Sequence, residues 1–154
     1  MHTPVAWRWR RFAEFTPAEL YAVLAARSEV FVVEQQCRFL DADGHDAYAW
    51  HLLGWSGELA VVAAYLRLLE PGRRYAEPSI GRVLTTAPFR GRGLGREAMH
   101  HGLRQAAAQY PGCAVRVSAQ ARLEPFYARL GFRVISQPYQ EDGIAHIDML
   151  RPAG

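Results

Sequence analysis

The sequence predicts a single α/β domain of α+β character, with a mixed central sheet of about six to seven strands flanked by helices. Three observations predict it. A β-branched run, Ile80 to Thr85, is followed by the glycine-rich string Arg90-Gly91-Arg92-Gly93-Leu94-Gly95 and then by a helical pattern from Leu94 to Tyr110, so strand, turn and helix come in succession. Ahead of them, Ala49 to Trp55 and Leu59 to Leu69 read as strands joined through Ser56-Gly57-Glu58, which makes an antiparallel meander running into Ile80. The full order is one strand, a helix, three strands, the glycine turn, a helix, a strand, a short helix and two strands. At 154 residues this suits one domain, 1–154, with one sizeable core.

In order, Trp7-Arg8-Trp9-Arg10-Arg11-Phe12 alternates aromatic and basic residues with period two, as a half-buried first strand does, Trp7 and Trp9 facing inward. Thr16-Pro17-Ala18-Glu19 opens a helix: Thr16 caps it, Pro17 suits the first turn and Glu19 completes a capping box. Leu20, Leu24 and Phe31 then fall on one face with Val23 beside them. Arg27 falls within that stripe and needs an acidic partner or a carbonyl. The helix is expected to end near Val33. Glu34 to Tyr48 reads as a loop whose Asp41, Asp43 and Asp46 fail the calcium-loop pattern, since His45 replaces a ligand and Leu52 stands where Glu is required. A solvated acidic loop and an amine-attracting rim are the two readings. After the meander, Pro71-Gly72 to Pro78 is turn-rich. The second helix carries Met99, Leu103, Ala106 and Tyr110 on its core face and Arg96, His100 and Arg104 on its solvated face; Tyr110-Pro111-Gly112 stops it. Ala114 to Ala119 is a strand, Leu123 to Leu130 a short helix ended by Gly131, and Phe132 to Ser136 and Ala145 to Leu150 are closing strands, with Glu141-Asp142-Gly143 as a hairpin loop between them.

Composition excludes several functions. All 18 basic residues are arginine, so a lysine base or Schiff base is ruled out. The net charge of +3 suits a polyanionic ligand but is too small and dispersed for a nucleic-acid surface. Cys37 and Cys113 are far apart in no C-x-x-C pattern, which points to a reducing, cytoplasmic compartment and no thiol metal site. His100 and His101 are adjacent on a helix and point about 100° apart, so they cannot share a metal. No apolar run suggests a secretion signal or a membrane span.

The glycine-rich turn offers backbone N–H groups, a helix N-terminus and the charges of Arg90, Arg92 and Arg96 to a phosphate. A P-loop needs Gly-Lys-Ser/Thr, and Arg96 stands where the dinucleotide fingerprint wants glycine. The bare hexapeptide reads equally as an Arg/Gly-rich surface loop. Its spacing, Arg-x-x-Gly-x-Gly, resembles the acetyl-CoA signature of the GNAT superfamily of N-acetyltransferases. The element order resembles the GNAT fold over nearly the whole chain, and Phe126-Tyr127-x-x-x-Gly131-Phe132 is similar to the tyrosine and Gly-Phe pair that follow its fifth strand. Val30-Phe31-Val32-Val33-Glu34-Gln35, Gly81-Arg82-Val83, Ala119-Gln120-Ala121 and Glu141-Asp142-Gly143-Ile144 resemble the ElaA-type branch of bacterial GNAT proteins, with Ala145 where that branch commonly has proline.

The resemblance implies a sheet splayed between its fourth and fifth strands. It implies that Arg90, Gly91, Arg92, Gly93, Leu94, Gly95 and Arg96 hold the cofactor pyrophosphate, that Val83, Leu84 and Thr85 pair with the pantetheine amides, and that Gln120 belongs to the same cofactor site. Acetyl-CoA then serves as co-substrate with an amine acceptor, without metal, nucleic acid or membrane, in a monomer or homodimer. An amine attacks the thioester directly. A lysine-like amine, pKa ~10.4, is about 1 in 10³ free base at pH 7, so deprotonation is the larger difficulty. Tyr127 is the implied acid for the leaving thiolate, against a reading as a core tyrosine. Some GNAT enzymes carry a glutamate on the fourth strand; here Arg82 and Thr85 occupy that region, and Glu34, His51, Glu141 and His146 are the candidate bases. For His51 and Cys113 structural roles are the alternatives. A catalytically silent acetyl-CoA-binding module is the competing reading of the whole.

Overall fold

Eight strands form one mixed sheet in a computed structural model that describes residues 3–153. The elements are β1 (Ala6–Arg11), α1 (Pro17–Arg27), β2 (Ala49–Ser56), β3 (Val61–Leu69), β4 (Ser79–Thr85), α2 (Leu94–Gln109), β5 (Val115–Gln120), α3 (Glu124–Ala128), β6 (Arg133–Val134), β7 (Tyr139–Glu141) and β8 (Ile144–Arg151). The strand order is β1-β2-β3-β4-β5-β8-β6, with β7 paired to β8. β1 through β4 form the expected antiparallel meander; β4 and β5 are parallel. The eighth strand, β7, was not anticipated. It forms because Asp142 and Gly143, at φ 52° and 78°, make the tight hairpin turn that pairs Glu141 with Ile144.

Alternation along the central strands builds a core on each face. Leu52, Leu66 and Leu68 pack with Ile80, Met99, Ala106 and α3 on one face; Leu53, Val62 and Tyr65 pack with Val23, Ala26 and Val30 of the α1 side on the other. Trp7 and Trp9 lie against the first core, as their period predicts. α1 begins as expected, with Thr16 accepting from the Glu19 N–H at 3.1 Å and Glu19 returning to the Thr16 N–H at 3.0 Å. Its buried face differs from the predicted stripe. Glu19, Val23, Ala26 and Arg27 are buried, while Leu24 is 37% exposed. Hydrophobicity alone misses the face because two of its residues are charged: Glu19 meets Arg8 and Arg10 of β1, and Arg27 meets Asp41 and Asp46. The helical path continues past Arg27 as a π-helical stretch, Ser28–Glu34, and so ends near Val33 as expected.

β4 carries the main irregularity. Tyr65 pairs with Leu84 and Arg67 with Gly81, so Arg82 and Val83 together oppose Leu66 in a bulge, with Arg82 at φ 52°. Ile80 and Leu84 would share a face in a regular strand; the bulge puts them in opposite cores.

Candidate functional site

β4 and β5 are joined in register only at Ser79↔Arg116 and separate beyond it. A crevice opens at the carboxyl ends of these parallel strands. It has two chambers, of about 340 and about 770 Å³, which share Phe31, Gln35, Val83, Gln120 and Leu123 as their common wall. The π-helical stretch supplies Phe31. Gln120, at the end of β5, donates to Gln35 Oε1 at 3.1 Å and ties the splayed strand to the loop after α1.

The larger chamber is bounded by Val83, Leu84, Thr85 and Arg90. The Thr86 N–H donates to Ala63 O at 2.9 Å, so strand alternation turns the Thr85 N–H and C=O to the open side, where the carbonyl accepts from Arg90 Nε at 3.0 Å. Gly91 and Gly93 stand at φ 82° and 74°, in the left-handed region that favours glycine, and no atom lies within 4 Å of where a Cβ would point at either position. Gly93 is the N-cap of α2 with no side-chain cap, and Glu97 is the first residue whose N–H finds its i−4 carbonyl, Gly93 O at 3.1 Å. The preceding N–H groups of Leu94, Gly95 and Arg96 have no partner within the helix. An uncapped sixteen-residue helix beside an open glycine turn fits a pyrophosphate. The arginines are less uniform: Arg90 Nη2 donates to Glu34 at 2.6 Å, Arg92 lies over Phe89 at 5.7 Å, and Arg96 is exposed.

Tyr127, Glu141 and His146 line the smaller chamber together. Tyr127 sits at the start of the turn that α3 makes into Gly131, 6% exposed, packed edge-on against Phe126 and Phe132. Burial pushes its phenol up to about 12, and no described residue takes a hydrogen bond from it. His146 is held on β8 by stacking on Tyr139 and by Nδ1 2.8 Å from Ile144 O. A carbonyl accepts only, so Nδ1 carries the proton and the neutral ring presents the Nε2 lone pair. Glu141 Oε2 stands 3.7 Å from that nitrogen, and its other oxygen accepts from Arg74 at 3.2 Å.

The remaining candidate bases lie elsewhere. Glu34 bounds the larger chamber and is paired with Arg90. His51 is 1% exposed and lines neither chamber. Its Nε2 donates to Asp46 O at 2.9 Å and its Nδ1 accepts from Tyr65 at 2.6 Å; burial, aided by Arg27 and Arg67, lowers its pKa to about 4. Cys113 is exposed, ahead of β5; Cys37 is buried, and its thiol donates to Asp142 O at 3.3 Å, joining the loop after α1 to the β7–β8 hairpin.

The loop from 35 to 48 corrects an expectation. Its aspartates are neither a solvated run nor an amine-attracting rim. Asp41 and Asp46 pair with Arg27 at 2.8 and 2.7 Å, Asp46 also with Arg67 at 3.0 Å, Asp41 with Arg82 at 2.9 Å, and Asp43 with Arg67. The opposing arginines hold Asp43 and Asp46 below the usual carboxylate range against the opposing effect of burial. Periodicity offered a signal only for Arg27. Arg67 was hidden in an apolar strand pattern, and the aim of Arg82 depends on the bulge. Among the described residues no group of three His, Cys, Asp or Glu side chains could hold a metal, and no helix is long and apolar enough to cross a membrane.

A family model described as an acetyltransferase (GNAT) domain matches residues 45–151. A UPF0039 protein of Synechocystis is 44% identical over 146 residues, 95% of this chain and 94% of its own length. ElaA of Escherichia coli is 37% identical over 149 residues, 96% of each chain, and its crystal structure aligns with a TM-score of 0.88 over 96% of this chain and 99% of that one. The crystal structure of an acyl-CoA N-acyltransferase from Pseudomonas aeruginosa aligns with a TM-score of 0.90 at 41% identity, covering 96% of this chain and 99% of that one.

Proposed function

Because this chain belongs to the GNAT acetyltransferase family, we propose that it transfers the acetyl group of acetyl-CoA to an amine acceptor by direct attack in a ternary complex. One observation carries the reading: the β4–β5 crevice has a chamber on each side of a shared wall, one beside the glycine turn and one lined by Tyr127, Glu141 and His146.

The N–H groups from Gly91 to Arg96 hold the pyrophosphate, and Thr85 and Val83 offer the exposed edge of β4 to the pantetheine amides. Bound acetyl-CoA supplies a thioester carbonyl in the crevice. His146 Nε2 takes the proton from the acceptor ammonium, and the imidazolium that forms faces Glu141. The amine nitrogen bonds to the carbonyl carbon, the C–S bond breaks, and the second amine proton leaves to solvent. Tyr127 gives its hydroxyl proton to the departing sulfur and regains one from water; its phenol, raised to about 12, stays protonated across the working pH range. A β4 edge N–H beside the carbonyl stabilises the developing oxyanion.

Release of coenzyme A thiol over a panel of amines tests the reading. Amine-dependent release with equimolar acetylated amine supports it. Tight acetyl-CoA binding with no release over the whole panel would instead favour a catalytically silent acetyl-CoA-binding module.

A further inference from the structure

The carboxylates around the smaller chamber are nearly all engaged. Asp43 is paired with Arg67 and lies 3.4 Å from Arg82 Nη2, and Glu141 accepts from Arg74. Asp142, at the exposed hairpin tip, is the lining carboxylate outside these pairs among the described residues. The arginines keep donors to spare. Arg82 Nε contacts Asp41 Oδ1 at 2.9 Å and Nη2 donates to Asp41 O at 3.0 Å, but Nη1 has no partner among the described residues.

Arg82 is also built into place. The bulge and its φ of 52° aim a non-glycine residue into the chamber at a backbone cost of about 1 kcal/mol. Asp41 holds the guanidinium from one side, and Phe39 stacks 5.4 Å beneath it. Burial, then the neighbouring Arg67 and Arg27 cations, lower the Arg82 pKa despite Asp41 and Asp43.

We infer that the acceptor is an amine whose molecule also carries a carboxylate, seated on Arg82 Nη1, with its ammonium directed to the Asp142, Glu141 and His146 side of the same chamber. A chamber of about 340 Å³ lies at the small end of ligand sites and has room for an amino acid. This rests on the acetyl-transfer reading and names the substrate class of that site.

The test uses three matched sets: the L-amino acids and short ω-amino acids, their carboxamides, and the decarboxylated amines. Thiol release at saturating acetyl-CoA is expected to give kcat/KM at least tenfold higher for the free acids than for their carboxamides. Arg82→Gln should remove that preference, raising KM for the acids about 10–100-fold while the carboxamides change little. Since Arg82 also braces the loop, coenzyme A affinity of the variant reports folding. Calorimetry on the wild-type protein with coenzyme A, comparing N-acetyl amino acids with N-acetyl amino amides, asks the same question without turnover. Preference for amides or simple amines, or equal binding of acid and amide products, overturns the inference and leaves acetyl transfer standing. Carboxylate-dependent binding without thiol release supports the carboxylate seat and defeats acetyl transfer.

Discussion

In the acetyl-transfer reading proposed above, Tyr127 and His146 divide the proton traffic by environment rather than by residue type. Tyr127 is buried without a hydrogen-bond partner among the described residues, so its phenol stays protonated and, in that reading, remains available to the leaving thiolate. Tyr127→Phe keeps the ring packed against Phe126 and Phe132, so coenzyme binding should survive. Single-turnover transfer should slow about 10²-fold, the low end for general acid catalysis because a thiolate leaves readily. His146→Gln should lower kcat about 10²–10⁴-fold while coenzyme A affinity survives, whereas His51→Gln should leave kcat near the wild-type value. No falling limb from Tyr127 is expected until pH approaches about 12. A wild-type kcat in His146→Gln would assign the base elsewhere. Arg27 illustrates the opposite use of charge. Both its carboxylate partners are buried or half-buried, so Asp46→Asn leaves a buried guanidinium half-paired and should cost about 3 kcal/mol in chemical denaturation. A loss under 1 kcal/mol would place that network outside the stability of the fold.

At the scale of elements, the turn between β4 and α2 is shaped by conformation rather than crowding. Nothing lies within 4 Å of a Cβ on Gly93, so the barrier to substitution there is its φ of 74°, which a β-branched residue adopts at a cost of about 1–2 kcal/mol or escapes by moving the turn. Gly93→Val is therefore expected to weaken acetyl-CoA binding at least tenfold in calorimetry while the protein stays folded; unchanged affinity would remove the turn from the cofactor site. Gly102 is the contrasting case. A Cβ there would meet Ile80 and Leu66 side chains at 3.1 Å, so it sets how closely α2 lies on the sheet. Gly102→Val should overpack that contact and cost about 1–3 kcal/mol.

For the whole molecule, acid stability has two components. Folded His51 is neutral with its pKa lowered to about 4, so its contribution is present above the unfolded value near 6.5 and is lost as pH falls to about 4. Glu19 is held down to about 2: burial alone would raise it, and the Thr16 N–H with Arg10 and Arg8 overcome that. Its contribution is present above 4.5 and is lost as pH falls toward 2. Tm should therefore decline in two stages on acidification. His51→Gln should flatten the upper stage, and Glu19→Gln should shrink the lower, which the lowered carboxyls of Asp43 and Asp46 share; a single transition untouched by either would refute the assignment. Much of the architecture was legible beforehand, because its signals are local. Thr16-Pro17-Ala18-Glu19 caps a helix through bonds three residues apart, Trp7 and Trp9 declare a strand by period two, and the glycine turn announces itself by backbone geometry. The family followed from such strings taken together. What tertiary structure alone decided depends on distant pairings. Asp41, Asp43 and Asp46 read as solvated until Arg27, Arg67 and Arg82 from three other elements close on them. His51 and His146 are indistinguishable as histidines in strands, yet one is enclosed between Tyr65 and Asp46 and the other opens on the crevice. The β4 bulge turns Arg82 into the chamber, and no periodicity along β4 foretells it, because a bulge is a property of two paired strands rather than of one.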